Sequence, residues 1–193
     1  MDRQVMRTAL LIIDVQLAIL AGLAHADRQS VIDARLDAVA ARLGRVKHAA
    51  EASGVPVILV QHDGEAGHRL AVGTTDWLFR REITPRDDTV IVHKRSCDAF
   101  HDTDLGERLV ELGVDRLIIG GCMTQFCVDT TTRRAVSMGF DVLLLSDCHT
   151  TADFGLLTAE QIVDHHNRLL SGFDAGSKAV RVVSSENVRF LKT

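Results

Sequence analysis

Apolar positions along this chain fall into two alternating rhythms. Continuous runs occur at Thr8 to Val15, Val55 to Val60, Thr89 to Val92, Leu117 to Ile119, Asp141 to Leu145 and Val180 to Val183. Runs this short and apolar are typical of strands covered on both faces of a parallel sheet. Between them, from Ser30 to Ala52, residues Val31, Ala34, Leu36, Val39, Ala40, Leu43 and Val46 recur at helical spacing, with Ser30 as the expected N-cap and Gly54 as the stop. Further helices are expected over Asp104–Leu112, Thr124–Met138 and Thr158–Leu170, the last opened by a capping box of Thr158 and Gln161. Strands alternating with helices predict a three-layer, doubly wound α/β fold of the Rossmann-like kind, a mostly parallel sheet with helices on both faces. Glu65 to Arg86 has no clear period and holds the only tryptophan, Trp77. Irregular segments of this length inside compact domains tend to carry function.

The chain of 193 residues is 46% hydrophobic, which suits one well-buried domain over 1–193. A formal net charge of −4 leaves no basic footprint for nucleic acid or an anionic membrane. Met1-Asp2-Arg3-Gln4 leads straight into an apolar strand without a signal-peptide pattern, and no apolar run reaches bilayer length. Four cysteines, Cys97, Cys122, Cys127 and Cys148, then fit a reducing compartment, so the expected location is the cytoplasm.

Three strands end in groups that can do chemistry. Asp14 follows the first, Lys94 the third, and beyond the fourth the chain breaks at Gly120-Gly121 and restarts as a helix carrying Cys127 in its first turn. In a parallel sheet the carboxyl ends lie along one edge, so these three residues are expected to meet in one cleft. With Thr124 as N-cap, Cys127 would lie near unpaired amides and the positive end of a helix dipole, an environment expected to lower its pKa. Asp14 is then a candidate base, Lys94 a stabiliser of thiolate and carboxylate, and the amides of Met123 and Cys127 candidate oxyanion donors.

These residues resemble the isochorismatase-like cysteine hydrolases. That family's pattern of Asp-x-Gln after the first strand, lysine ending a later strand, and Gly-x-x-Thr-x-x-Cys-Val before a helix corresponds here to Asp14-Val15-Gln16, Val92-His93-Lys94 and Gly121-Cys122-Met123-Thr124-Gln125-Phe126-Cys127-Val128. The resemblance covers nearly the whole chain. It implies a six-stranded parallel sheet, a catalytic triad of Asp14, Lys94 and Cys127, a cis peptide between Cys122 and Met123, and a homo-oligomer. Trp77, Phe126 and Gln16 are the expected contacts to a small-molecule substrate.

Nicotinamidases in that family hold a metal through Asp-x-His and a second histidine. Here Asp63-Gly64-Glu65-Ala66-Gly67-His68 lacks the first histidine, so neither metal nor cofactor is expected. The first functional expectation is therefore a cysteine hydrolase cleaving a small amide, carbamoyl or ureido C–N bond through a thioester. Alternatives are vinyl-ether hydrolysis with Asp14 as acid, a thiol redox protein using Cys122 and Cys127, and a nucleotide-binding module. The last lacks both Gly-x-Gly-x-x-Gly and a phosphate-cradling lysine.

Overall fold

The structure is a computed structural model describing residues 6–25 and 27–190. In chain order, β1 (Thr8–Ile13), α1 (Gln29–Ala52), β2 (Val57–His62), β3 (Val90–Lys94), α2 (Leu105–Glu111), β4 (Arg116–Cys122), a π-helical turn (Thr124–Val128), α3 (Asp129–Ser137), β5 (Asp141–Thr150), α4 (Ala159–Leu170), β6 (Asp174–Ala175) and β7 (Lys178–Val183) build one sheet and its covering layers. The strand order is β3-β2-β1-β4-β5-β7-β6, with every pairing parallel except β6 against β7. Six strands were expected; the seventh is a two-residue edge strand, too short to leave an apolar pattern.

Alternation along the strands sends successive side chains to opposite faces. Leu10 and Ile12 of β1 pack with Val39, Ala40 and Leu43 of α1. Ala9, Leu11 and Ile13 pack with Leu105 and Leu109 of α2 and with Ala135 and Val136 of α3. The three-layer α/β expectation therefore holds, and the continuous apolar runs are explained by burial on both faces. Among the described residues no helix is long and apolar enough to cross a membrane.

Element ends differ where tertiary contacts outrank local signals. Helix α1 begins at Gln29 behind Arg28, and Ser30 is not its cap. Arg28 instead donates to Asp153 at 2.8 Å and Glu160 at 2.9 Å, so ion pairs across the fold set that boundary. The Thr158–Gln161 capping box of α4 forms as expected.

Candidate active site

Chain order reverses across β1: β2 and β3 lie on one side, β4 and β5 on the other. Such a switch point opens a crevice at the carboxyl ends of the strands. Asp14 leaves β1 with φ of 52°, a left-handed conformation that aspartate tolerates better than most residues, and its side chain is buried. On the neighbouring strand Gly121 faces Ile13 in register, and a Cβ there would lie 2.0 Å from the Ile13 carbonyl oxygen. Glycine is required for β4 to approach β1 this closely.

Lys94 ends β3, two strand spacings or roughly 10 Å from β1. Its long side chain crosses the end of β2 and is the largest fully buried one among the described residues. The ammonium donates to Asp14 Oδ2 at 2.6 Å, to the Ser96 carbonyl at 2.9 Å and to Cys127 Sγ at 3.3 Å, with His62 Nδ1 at 3.4 Å. Asp14, Lys94 and Cys127 thus converge from three separate segments. Asp14 Oδ1 is buried and has no hydrogen-bond partner among the described residues.

The segment carrying Cys127 is not the regular helix expected from Thr124. Thr124–Val128 forms a π turn in which the Met123 carbonyl accepts from the amides of both Phe126 and Val128, and α3 begins only at Asp129. Thr124 does not cap it. Its hydroxyl lies 2.9 Å from His149 Nδ1, while His149 Nε2 lies 3.0 Å from Asn167 Oδ1. Because Asn167 Nδ2 donates to the Ser146 carbonyl, its Oδ1 must accept from His149 Nε2–H, leaving Nδ1 to accept from Thr124. Burial holds this imidazole neutral, with its pKa lowered to about 4. The peptide between Cys122 and Met123 is cis.

Ionisation at the site differs from the simple expectation of a depressed Cys127 pKa. A hydrogen bond with the Cys97 thiol, followed by burial, pushes Cys127 up, and Lys94 pulls it back. The same contact lowers Cys97 to about 6. Charge on Cys97 also opposes charge on Cys127. Burial, then the charge of Cys127, raises Asp14 well above the usual carboxylate range. Lys94 is disfavoured as an ammonium by burial, but Asp14 and Cys127 outweigh this and hold it protonated.

Gln16 was expected at the substrate. Its buried amide instead donates to the carbonyls of His62 at 3.1 Å and Trp77 at 2.8 Å and accepts from the His62 amide at 3.0 Å. It braces the irregular segment against β2. Trp77 donates its indole N–H to Asp63 at 2.9 Å and stacks on His93. Phe126 is partly exposed and meets Phe154 edge to face.

Three nearby groups escaped the sequence reading. Arg69 donates to the Ile19 carbonyl and reaches the Met123 sulfur, with no carboxylate partner among the described residues. Burial lowers its pKa, and the charge of Cys127 acts in the other direction. His62 is held near a pKa of 4 by burial and by Lys94. The third is Cys97. His62 ends β2 opposite Lys94 of β3, whereas Arg69 and Cys97 lie on loops outside any periodic pattern. Asp63 accepts from Trp77, His68 Nδ1 accepts from the Leu70 amide, and no cluster of three metal-ligating side chains occurs among the described residues.

An Isochorismatase domain family model matches residues 8–180. Streptothricin hydrolase of Streptomyces noursei is 35% identical over 145 residues, covering 75% of this chain and 55% of the relative. A ureidoacrylate amidohydrolase of Methylobacterium radiotolerans is 27% identical over 169 residues, covering 72% and 66%. The chain thus spans little more than half the length of the streptothricin hydrolase. A crystal structure of an isochorismatase from Pseudomonas putida superposes with a TM-score of 0.82 at 28% identity, covering 95% of this chain and 90% of the other. With the family match running from the first residue of β1 through Val180 in β7, this protein belongs to the isochorismatase family.

Proposed function

We propose that the protein is a cysteine-dependent hydrolase that cleaves a C–N bond of a small amide, carbamoyl or ureido compound through a thioester. The observation that carries this reading is one buried ammonium bound to both Asp14 and Cys127, beside a carboxylate oxygen that is buried and unpaired. In this reading Asp14 takes a proton from the thiol, and Lys94 holds the resulting thiolate and the carboxyl group in place. Sulfur adds to the substrate carbonyl carbon, and the Met123 and Cys127 amides receive the developing oxyanion. Asp14, its pKa raised by burial, returns the proton to the departing nitrogen. It then takes a proton from the water that opens the thioester. Arg69, half-buried and without an anionic partner among the described residues, favours a substrate carrying a carboxylate or a similar anion. The relatives named for streptothricin and ureidoacrylate hydrolysis support C–N chemistry as the class.

Labelling by iodoacetamide tests the nucleophile, read at each cysteine from about pH 5.5 to 8.5, spanning the free-thiol range. Cys127 should label despite its near-complete burial and lose that reactivity in Asp14→Asn and Lys94→Ala variants. An unreactive Cys127 in a folded, adduct-free sample would refute the reading. Ammonia release from a panel of small amides and ureido acids then tests the reaction.

The raised pKa of Asp14 also suits a carboxylic acid that protonates an enol ether. Pyruvate release that persists in Cys127→Ala would favour this second reading.

A further inference from the structure

We propose that His149 is a positioning residue for this site: through the Thr124 hydroxyl it fixes the turn whose Met123 and Cys127 amides receive the oxyanion. The inference rests on the hydrolase reading and deepens it, adding a residue that acts through another. Thr124 stands between those two amides, directly after Met123 and three residues before Cys127. It opens the π turn, its side chain is buried, and its hydroxyl meets the buried His149 at Nδ1, 2.9 Å away. Regular α-helix is the usual conformation for such a segment and π turns are rare. A contact from outside the turn is therefore needed to favour this winding.

An irregularity in the sheet delivers the imidazole. Along the pairing of β4 with β5, Ile119 faces Leu144 and Gly121 faces His149. Between these pairs β4 has one residue, Gly120, whereas β5 has four, Leu145 to Cys148. Extra residues of this kind bend a strand and re-aim its side chains. Gly120 makes the room, since a Cβ there would lie 2.7 Å from the Cys148 carbonyl oxygen. Two bonds pin the extra residues: Asn167 Nδ2 of α4 donates to the Ser146 carbonyl at 3.0 Å, and the Ser185 amide donates to Asp147 Oδ1 at 2.8 Å. The same Asn167 accepts from His149 Nε2 at 3.0 Å. His149 Nδ1 is left to accept, so the Thr124 hydroxyl points its proton there.

Charging the sulfur and aiming the amides thus depend on different bonds. Lys94 reaches Cys127 from β3, at 3.3 Å, while His149 reaches Thr124 from β5, on the opposite side of β4 in the strand order. Loss of the Thr124–His149 bond leaves the ammonium at Cys127 but strands a buried hydroxyl or imidazole nitrogen. The turn then shifts toward whatever arrangement re-pairs them. Oxyanion donors act over a narrow range, about 2.7–3.1 Å, so a small shift of the turn is enough to weaken them.

The test compares two reactions of the same sulfur in the full chain. Iodoacetamide alkylates Cys127 without forming an oxyanion. p-Nitrophenyl acetate acylates it through one: sulfur bonds to the acetyl carbon, the thiol proton passes to Asp14, the ester C–O bond breaks and p-nitrophenolate leaves. The rate of p-nitrophenolate release is read after subtracting that of Cys127→Ala. We expect Thr124→Val to slow acylation about tenfold, the size of one neutral hydrogen bond, and to leave alkylation of Cys127 unchanged. Thr124→Ser, which keeps the hydroxyl, should restore acylation. Adding His149→Leu to Thr124→Val should bring no further loss, because both remove the same bond. Equal slowing of acylation and alkylation would reduce the pair to a structural role and overturn the proposal, as would full acylation in Thr124→Val or an additive loss in the double variant. A wild-type Cys127 inert to iodoacetamide would bring down the hydrolase reading and this inference with it, whereas the failures read on the variants fall on the inference alone.

Discussion

Two buried polar groups of residues lie side by side at the carboxyl edge of this sheet, and they are built to opposite rules. In the first, His149 has a defined tautomer, and both ring nitrogens are matched by Thr124 and Asn167. Nothing there is charged. In the second, Lys94 brings an ammonium against a carboxyl group and a thiol, and Asp14 Oδ1 is left unpaired among the described residues. A matched neutral network rigidifies, because breaking any bond strands a partner in a poorly solvating interior. An unmatched charged one holds an unused acceptor where a reacting proton can go. Neither polar burial nor a missing partner alone marks the site, since the Thr132 and Thr150 hydroxyls are also unpaired; the mark is an unpaired carboxyl oxygen beside a buried ammonium and thiol.

Removing a member of the charged group should give the largest effects. Lys94→Ala strands Asp14 without its counter-charge, and we expect turnover to fall about 10⁴-fold with stability lowered by about 3–5 kcal/mol. Asp14→Asn should lose about 10²–10⁴-fold in turnover while remaining folded, since it removes the proton carrier and keeps the shape. Steady-state assays and denaturant titrations on both variants check the two parts separately. Equal stability losses without loss of turnover would erase the distinction between the networks.

The matched network should show itself through pH. The folded pKa of His149 is lowered to about 4 from 6.5. Between those values the unfolded chain binds the extra proton, so stability is fully present above about pH 6.5 and is lost as pH falls toward 4, by about 3 kcal/mol in total. His149→Gln should flatten that part of the stability profile in denaturant titrations at several pH values. An unchanged profile would mean that other groups dominate acid sensitivity.

Arg69→Ala should act most mildly, raising KM about tenfold for anionic substrates and leaving neutral analogues unaffected, as expected for one exposed-to-half-buried charge contact. Parallel kinetics on a charged and a neutral substrate of one scaffold would resolve this. Equal effects on both would make Arg69 a structural clasp for Ile19 and Met123.

Much of the site was legible before folding because its principal residues end apolar runs. Asp14 and Lys94 follow from that rule, and Gly121 marks the break that leads to Cys127. The local conformation of the Cys127 segment was less legible. Thr124 satisfies the rules for an N-cap, yet its hydroxyl is engaged by His149, distant in sequence, and the chain winds as a π turn. Gln16 shows the same limit. Its motif position was readable, whereas the carbonyls its amide meets depend on where Trp77 and His62 come to rest.

By itself, then, the sequence determined the alternation of buried strands and helices, the doubly wound sheet, and the edge on which Asp14, Lys94 and Cys127 lie. These follow from periodicity and from the chirality of parallel crossovers, which are local or nearly local properties. Only the tertiary structure decided which oxygen of Asp14 stays unpaired, that one ammonium meets both Asp14 and Cys127, and that Arg69 reaches Met123 with no acid partner among the described residues. Those outcomes depend on ångström-scale approach between segments far apart in the chain, and pairing, burial and charge sharing exist only once that approach is made.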